Sequence, residues 1–416
     1  MIPAKATTWA PVPANSDFPI QNLPFGVVVH EDEQRVVTRI GDQILELAAL
    51  AEEGFLPGDP VDYLDIETII GEEGGDGLSR LRKMLYDLLR TDNPNLRDNS
   101  AAKAKCFHPA QDAPLNLPLM IDAYVDFYSG INHASNVGKM FRPDMAPLLP
   151  NYRHLPVGYN GRASSVIPSG VPVKRPCGQT KAADADMPTF GPTKELDFEL
   201  EMGFFVGAQS EMGEAIPIDE IEDYILGFVM VNDWSARDVQ RWEYQPLGPF
   251  LAKSFATSIS PWLITLDALE PFRIAGLTQD PPVLPHLRSP KPGHYDIQLE
   301  VSIQTPRMTK PQVISRTNTK ELYWTAYQQL THQSSNGTPL EVGDLYASGT
   351  ISGSEKGTFG SLLELSWRGT EPIKLTETGE TRTFLQDGDV VTFRGWAQGE
   401  GFRVGFGELT TEILPA

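Results

Sequence analysis

From residue 118 onward, glycines and prolines cut the chain into short segments. The whole chain carries 36 Gly and 35 Pro in 416 residues. Proline removes a backbone donor and breaks a helix interior, and glycine weakens one. A region punctuated this way folds as short strands joined by turns. Residues 294–303 fit that pattern, with Ile297, Leu299, Val301 and Ile303 on one face. Residues 390–393 and 402–406 read as further strands. Five prolines in residues 279–292 exclude a strand interior there and predict a loop. Short helices are expected near 219–224 and 319–332.

The first 117 residues differ. Residues 79–90 give the clearest helical signal, because Leu81, Met84, Leu85, Leu88 and Leu89 fall at i, i+3, i+4, i+7 and i+8. Residues 1–30 read as irregular, 35–40 and 42–47 as short strands, 61–70 as ambiguous and 97–105 as an exposed connection. The expected division is a first domain over 1–117, for packing or assembly, and a β-rich second domain over 118–416. A net charge of −21 excludes nucleic acid and anionic membrane as partners. Two cysteines, Cys106 and Cys177, make no disulfide framework, and no apolar run reaches membrane-spanning length. The N-terminus carries no signal-peptide core. A cytoplasmic location follows as the expectation.

The chemistry concentrates first at residues 196–202, where Leu196, Phe198, Leu200 and Met202 alternate with Asp197, Glu199 and Glu201. As a strand this places the acids on one face. Glu199 and Glu201 would stand roughly 6–7 Å apart. Their repulsion would be about 2–3 kcal/mol at an effective dielectric near 20. Two readings stand: a solvated acidic edge, or a pair of oxygen ligands for a hard divalent cation.

Other segments add candidates, each with an ordinary alternative. Residues 121–128 alternate, with Asp122, Tyr124, Asp126 and Tyr128 on one parity. His133 follows in a turn of small residues and is either a structural histidine or a general base. Tyr159 lies in a Gly-flanked turn that also reads as an ordinary hairpin. After the apolar run 225–231, Asp233 is either a helix cap or a further ligand. Arg237 and Gln240 share one face of a helical turn and could stabilise an oxyanion. Lys253 sits among apolar residues, either reaching solvent or pairing inside a charged site. Residues 347–353 form a small-residue loop that admits a ligand. Glu364, inside an apolar segment taken as a strand, could orient His133 as a carboxylate does in a catalytic triad.

Together these segments resemble the fumarylacetoacetate hydrolase family. The most specific are His154-Leu155-Pro156-Val157-Gly158-Tyr159, Asn232-Asp233-Trp234-Ser235-Ala236-Arg237-Asp238, residues 246–255 and residues 347–353. The likeness runs from residue 16 to residue 407 and is weaker over 50–115 and 270–295. It implies a mostly β (α+β) fold, with an N-terminal SH3-like barrel and a C-terminal mixed β-roll or β-sandwich, assembled as a homodimer. It implies Ca²⁺ held by Asp126, Glu199, Glu201 and Asp233, and Mg²⁺ near Asp233, Lys253 and Thr257. His133 would be the base, oriented by Glu364. Tyr128, Arg142, Tyr159, Gln240, Tyr244 and Thr350 would contact substrate, with Arg237, Gln240 and Lys253 stabilising developing charge. The implied reaction is hydrolysis of a carbon–carbon bond in fumarylacetoacetate, in tyrosine and phenylalanine breakdown. A related acylpyruvate hydrolase, decarboxylase or isomerase of keto-acids would share the acidic set. A non-catalytic calcium-binding β module would need neither His133, Lys253 nor Glu364.

Overall fold

A computed structural model describes residues 1–30 and 33–416. The N-terminal part is an antiparallel four-stranded sheet, Phe25–His30, Glu33–Ile40, Gln43–Glu46 and Phe107–Pro109 in that order. Helix Gly75–Leu89 buries Leu78, Leu81, Leu85, Leu88 and Leu89, each worth roughly 2 kcal/mol on removal from water. The strand Phe25–His30 corrects the irregular reading of residues 1–30. The supposed exposed connection over 97–105 is also corrected: Pro94–Arg97 and Ser100–Cys106 are short helices. Asn93 and Asn99 cap them by accepting from Asn95 N–H and Ala102 N–H.

The larger part is built on an eight-stranded sheet. Its centre is the antiparallel pair Leu200–Val206 and Ile225–Asp233, in register Glu201↔Val231. Every residue of both strands is buried. Tyr124–Phe127 enters the same sheet beside Leu345–Ala347, which pairs in turn with Leu200–Val206. The pleat then divides the side chains between two cores. Met202, Phe204, Phe228 and Met230 face one, shared with a five-stranded sheet that contains Gln298–Gln304 and Val390–Gln398. Tyr124, Phe205, Val229 and Val231 face the other, shared with the N-terminal leucines. Asp126, Glu201 and Asp233 have the parity of this second set. Three strands thus present three carboxylates on one face.

Local structure departs from the sequence reading at the chemical segments. The acidic strand is not continuous: Leu196–Asp197 pairs with Ser235–Ala236, and a new strand starts at Leu200. His133 lies on helix Ile131–Phe141, not in a turn. Gly138 lets that helix approach the following loop, since a Cβ there would sit 1.9 Å from the Pro147 carbonyl oxygen. Glu364 lies on the short helix Leu362–Leu365, not on a strand. Ser361 caps that helix, and Asp197 accepts the N–H groups of Leu362 and Leu363 at 2.7 and 3.0 Å.

His294, against the face of the sheet opposite the carboxylates, carries a pH dependence. Burial alone pulls its pKa down to about 4. Its unfolded value is near 6.5. The unfolded chain therefore binds the extra proton first, and stability falls as pH drops from 6.5 toward 4. Between pH 7 and 4.5 this group should cost about 2–3 kcal/mol of stability. The check is denaturant unfolding of wild type and His294→Leu at both pH values; an equal pH sensitivity in the two would refute it.

Candidate active site

Four buried carboxylates, Asp126, Glu199, Glu201 and Asp233, offer oxygens that all lie within 4.8 Å of one another. None is a solvated edge; their exposures are 3, 5, 0 and 0 %. At 4.8 Å, each ionised pair would repel by about 3 kcal/mol even at a dielectric of 20. The protein supplies two cations against this. Lys253 Nζ donates to Glu199 and, at 2.7 Å, to Asp233. Arg237 reaches Glu199 Oε1 at 2.8 Å, but its Nε is held by Asp197 at 2.9 Å. Asp197, expected beside Glu199 and Glu201, therefore serves Arg237 and a helix terminus instead.

The protonation balance follows. Burial and the neighbouring carboxylates, Asp233 foremost, push Asp126 far above its usual pKa. Burial, Asp126 and Glu199 do the same to Glu201. Glu199 moves the other way: burial opposes it, but Lys253, Arg237 and His133 hold it down at about 2. Two acids of four thus resist ionisation for want of positive charge. Asp126 Oδ1 and Glu201 Oε1 are also buried without a hydrogen-bond partner, which is costly for acceptors of this kind. Glu201 Oε2 accepts Gly349 N–H at 3.0 Å. Gly349 has φ +75°, and a Cβ there would meet Phe127 O at 2.2 Å, so only glycine brings this donor in. An all-carboxylate set with spare lone pairs fits a hard divalent cation.

Asp233 accepts three side-chain hydrogen bonds and keeps one lone pair on Oδ1. Its Oδ2 accepts from Tyr159 OH and Lys253, and its Oδ1 from Thr257 at 3.0 Å. Asp233 is not a helix cap. Lys253 Nζ also contacts Asp233 O at 3.3 Å, so its three N–H directions are engaged. An ammonium has no lone pair, so Lys253 could ligate a cation only through its main-chain oxygen.

Beside the cluster stands the imidazole. His133 is 3 % exposed. Its Nδ1 lies 2.7 Å from Glu364 Oε2 and its Nε2 3.9 Å from Glu199 Oε1. Glu364 accepts further bonds from Asn136 at 3.0 Å and from Ser352 and Ser361 at 2.8 Å. Burial would raise its pKa, but the His133 contact and these donors hold it below the ordinary glutamate value. An ionised Glu364 only accepts, so the Nδ1 proton stays on His133 and Nε2 is left as the basic nitrogen. Tyr128 packs edge-on against the ring at 5.4 Å.

A cavity of about 470 Å³ opens onto Asp126, Glu199 and His133. Arg142, Tyr128, Tyr159, Gln240, Tyr244, Arg237 and Lys253 line it. Arg142 Nε is buried and unpartnered. Gln240 Oε1 accepts from Arg237 Nη1 at 3.2 Å, which leaves its amide N–H groups free. Thr350 is the exception: it is buried beside Gly349, and it is not among the residues that border the cavity. Asn136 and Ser361 are the neighbours that the sequence did not single out. Spacing could have found Asn136, since it stands i+3 from His133 on one helix face.

Comparison with known proteins agrees along the whole chain. The family model described as "Fumarylacetoacetate (FAA) hydrolase C-terminal" matches residues 123–414, and "Fumarylacetoacetase N-terminal" matches 21–118. The chain is 48 % identical to a fumarylacetoacetase of Rattus norvegicus, covering 98 % of this chain and 99 % of the relative. It is 47 % identical to that of Homo sapiens, with the same coverage. Among solved structures, one described as Cg1458 with inhibitor aligns with a TM-score of 0.53 at 15 % identity, covering 95 % of this chain and all of that one; this likeness concerns the fold alone.

Proposed function

Because this chain belongs to the fumarylacetoacetate hydrolase family, we propose that it hydrolyses 4-fumarylacetoacetate to fumarate and acetoacetate. The observation that carries this reading is the pairing of four buried carboxylates with a histidine whose Nε2 faces them. The four carboxylates would hold one divalent cation, and Ca²⁺ suits a site of several carboxylate oxygens. When bound, that cation polarises the diketone oxygens as a Lewis acid and offsets the charge that develops there. Mg²⁺ near Asp233, Lys253 and Thr257 rests on the family resemblance alone.

His133 Nε2 takes a proton from water, and the resulting hydroxide adds to the fumaryl carbonyl. Glu364 stabilises the imidazolium through Nδ1. The carbon–carbon bond breaks, its electron pair leaves as the enolate of acetoacetate, and the proton on His133 returns to that carbon. Arg237 faces the developing negative charge, and the free amide of Gln240 donates to it. Arg142, with its unpartnered Nε, anchors a substrate carboxylate. Tyr128, Tyr159 and Tyr244 line the cavity and fix the planar chain. Lys253 acts on the cluster rather than on substrate, because its three N–H groups are taken. Thr350, off the cavity wall, would need to move to touch substrate.

A relative acting on another keto-acid would keep the acidic set; the His133–Glu364 pair and the N-terminal match over 21–118 favour the hydrolase. The division into 1–117 and 118–416 is retained, with the first part bracing the sheet face that bears the carboxylates. The chain pairs as a homodimer. Phe190, Trp242, Leu247, Phe250 and Leu251, exposed at 43 to 97 %, supply an apolar surface for that. Light scattering should read twice the 45.9 kDa chain mass; a monomer at micromolar concentration would refute pairing. No helix among the described residues is long and apolar enough to cross a membrane. The unpaired, exposed Cys177 suits the reducing cytoplasm, which fractionation would test. For the activity itself, purified protein should consume fumarylacetoacetate, read as loss of its ultraviolet absorbance. Chelator should abolish the loss, and Ca²⁺ should restore it. Chelator-insensitive turnover would exclude the metal-dependent reading.

A further inference from the structure

Asn136 stands one helical turn from His133, and both side chains meet the same carboxylate. His133 Nδ1 takes Oε2 of Glu364 at 2.7 Å, and Asn136 Nδ2 takes Oε1 at 3.0 Å. Ser352 and Ser361 add donors to Oε2, but among the described residues Asn136 is the one side-chain donor on Oε1. All five residues are 9 % exposed or less. An ionised carboxylate only accepts, so the amide must turn its NH₂ toward Glu364.

We propose that Asn136 is a positioning residue for the reaction: by holding Oε1 it fixes the plane of the Glu364 carboxylate, and so the orientation of the His133 ring. The geometry gives the reason. Three donors crowd one oxygen, and with Oε1 free the carboxylate could rotate about its last torsion and present either oxygen to the imidazole. Terminal carboxylate torsions are broad and roughly two-fold, so nothing intrinsic to Glu364 prevents this. A second donor on the same helix as the imidazole removes that freedom, because the helix sets both donors at one spacing. Asn136 touches neither cavity nor carboxylate cluster; it is not among the cavity-lining residues. Its effect therefore falls on turnover and not on substrate affinity.

The inference rests on His133 as the base, and its test separates the two ideas. Asn136→Leu keeps the volume and removes the donor; Asn136→Ala removes both and leaves room for a water to donate in its place. Residues that hold a reacting or ligating group in place typically cost about 10–100-fold when lost. For Asn136→Leu, kcat should fall by about that factor with KM within about threefold. The low-field proton resonance of the His133–Glu364 hydrogen bond should shift or vanish. Asn136→Ala should lie between wild type and the leucine variant. Asn136→Leu with kcat within twofold of wild type would overturn the proposal. So would a fall in kcat with the low-field resonance unchanged, which is the mark of a purely structural loss. His133→Ala, assayed alongside, decides which idea has failed. If it is inactive while Asn136→Leu is normal, only the positioning role is lost; if it is fully active, the base assignment is lost with it.

Discussion

His133→Ala should lower kcat by about 10²–10⁴, the usual contribution of a positioned general base, while KM stays within a few-fold. The protein should remain folded and should still bind its cation. The reason lies in the neighbours. Removing the imidazole from a buried site leaves a cavity, but Glu364 keeps the donors Asn136, Ser352 and Ser361 and is not stranded as an unpaired charge. None of the four clustered carboxylates is altered. Steady-state kinetics, thermal melting and bound-calcium analysis on one preparation test all three parts. Near-normal kcat would remove the base assignment. A companion, Glu364→Gln, keeps the shape but can turn an amide N–H toward Nδ1. That would move the ring proton to Nε2, the wrong tautomer for a base, so the same loss of kcat is expected.

The second large effect is on Glu201. Glu201→Ala should lose bound cation and activity together, and Glu201→Gln should do the same while preserving an acceptor for Gly349 N–H. The sign of the stability change distinguishes a ligand from an ordinary core residue. Burial, Asp126 and Glu199 already push Glu201 well above its normal pKa. In chelated protein, replacing it by the neutral amide removes a repulsive group, so the melting temperature should be equal or higher. With excess Ca²⁺, wild type should gain stability as RT ln(1 + [L]/Kd), about 2.7 kcal/mol at a hundredfold excess over Kd; the variant should gain almost none. The same balance fixes the pH dependence. Binding must displace protons from Asp126 and Glu201, so affinity weakens as pH falls. Unchanged calcium content in Glu201→Gln would refute its ligand role.

The parts legible from sequence were those whose own periodicity decides them. The apolar spacing over 79–90 gave a helix, found as Gly75–Leu89. The alternation from Ile297 to Ile303 predicted a buried face, and those residues are 1 % exposed or less. Elements fixed by tertiary contact carry no such local signal. Helix Ile131–Phe141 is rich in small and polar residues and contains a glycine, so its local signal is poor. Close packing of Gly138 on Pro147 and the Arg368 bond to Met140 O, at 3.2 Å, hold it in place. Helix Leu362–Leu365 has too few residues for a period and depends on Ser361 and on Asp197, far away in sequence. The convergence of Asp126, Glu201 and Asp233 depends on strand register, which no single segment encodes. The family resemblance implies that grouping, and the i+3 spacing of Asn136 from His133 places it on the same helix face.

The most direct test is diffraction from crystals grown with Ca²⁺, with an anomalous difference map. The account predicts one strong peak per chain, with oxygens of Asp126, Glu199, Glu201 and Asp233 at about 2.3–2.6 Å and the His133 ring beside it, bonded to Glu364. A map with no peak among those oxygens, or His133 turned to bulk solvent away from them, would contradict it.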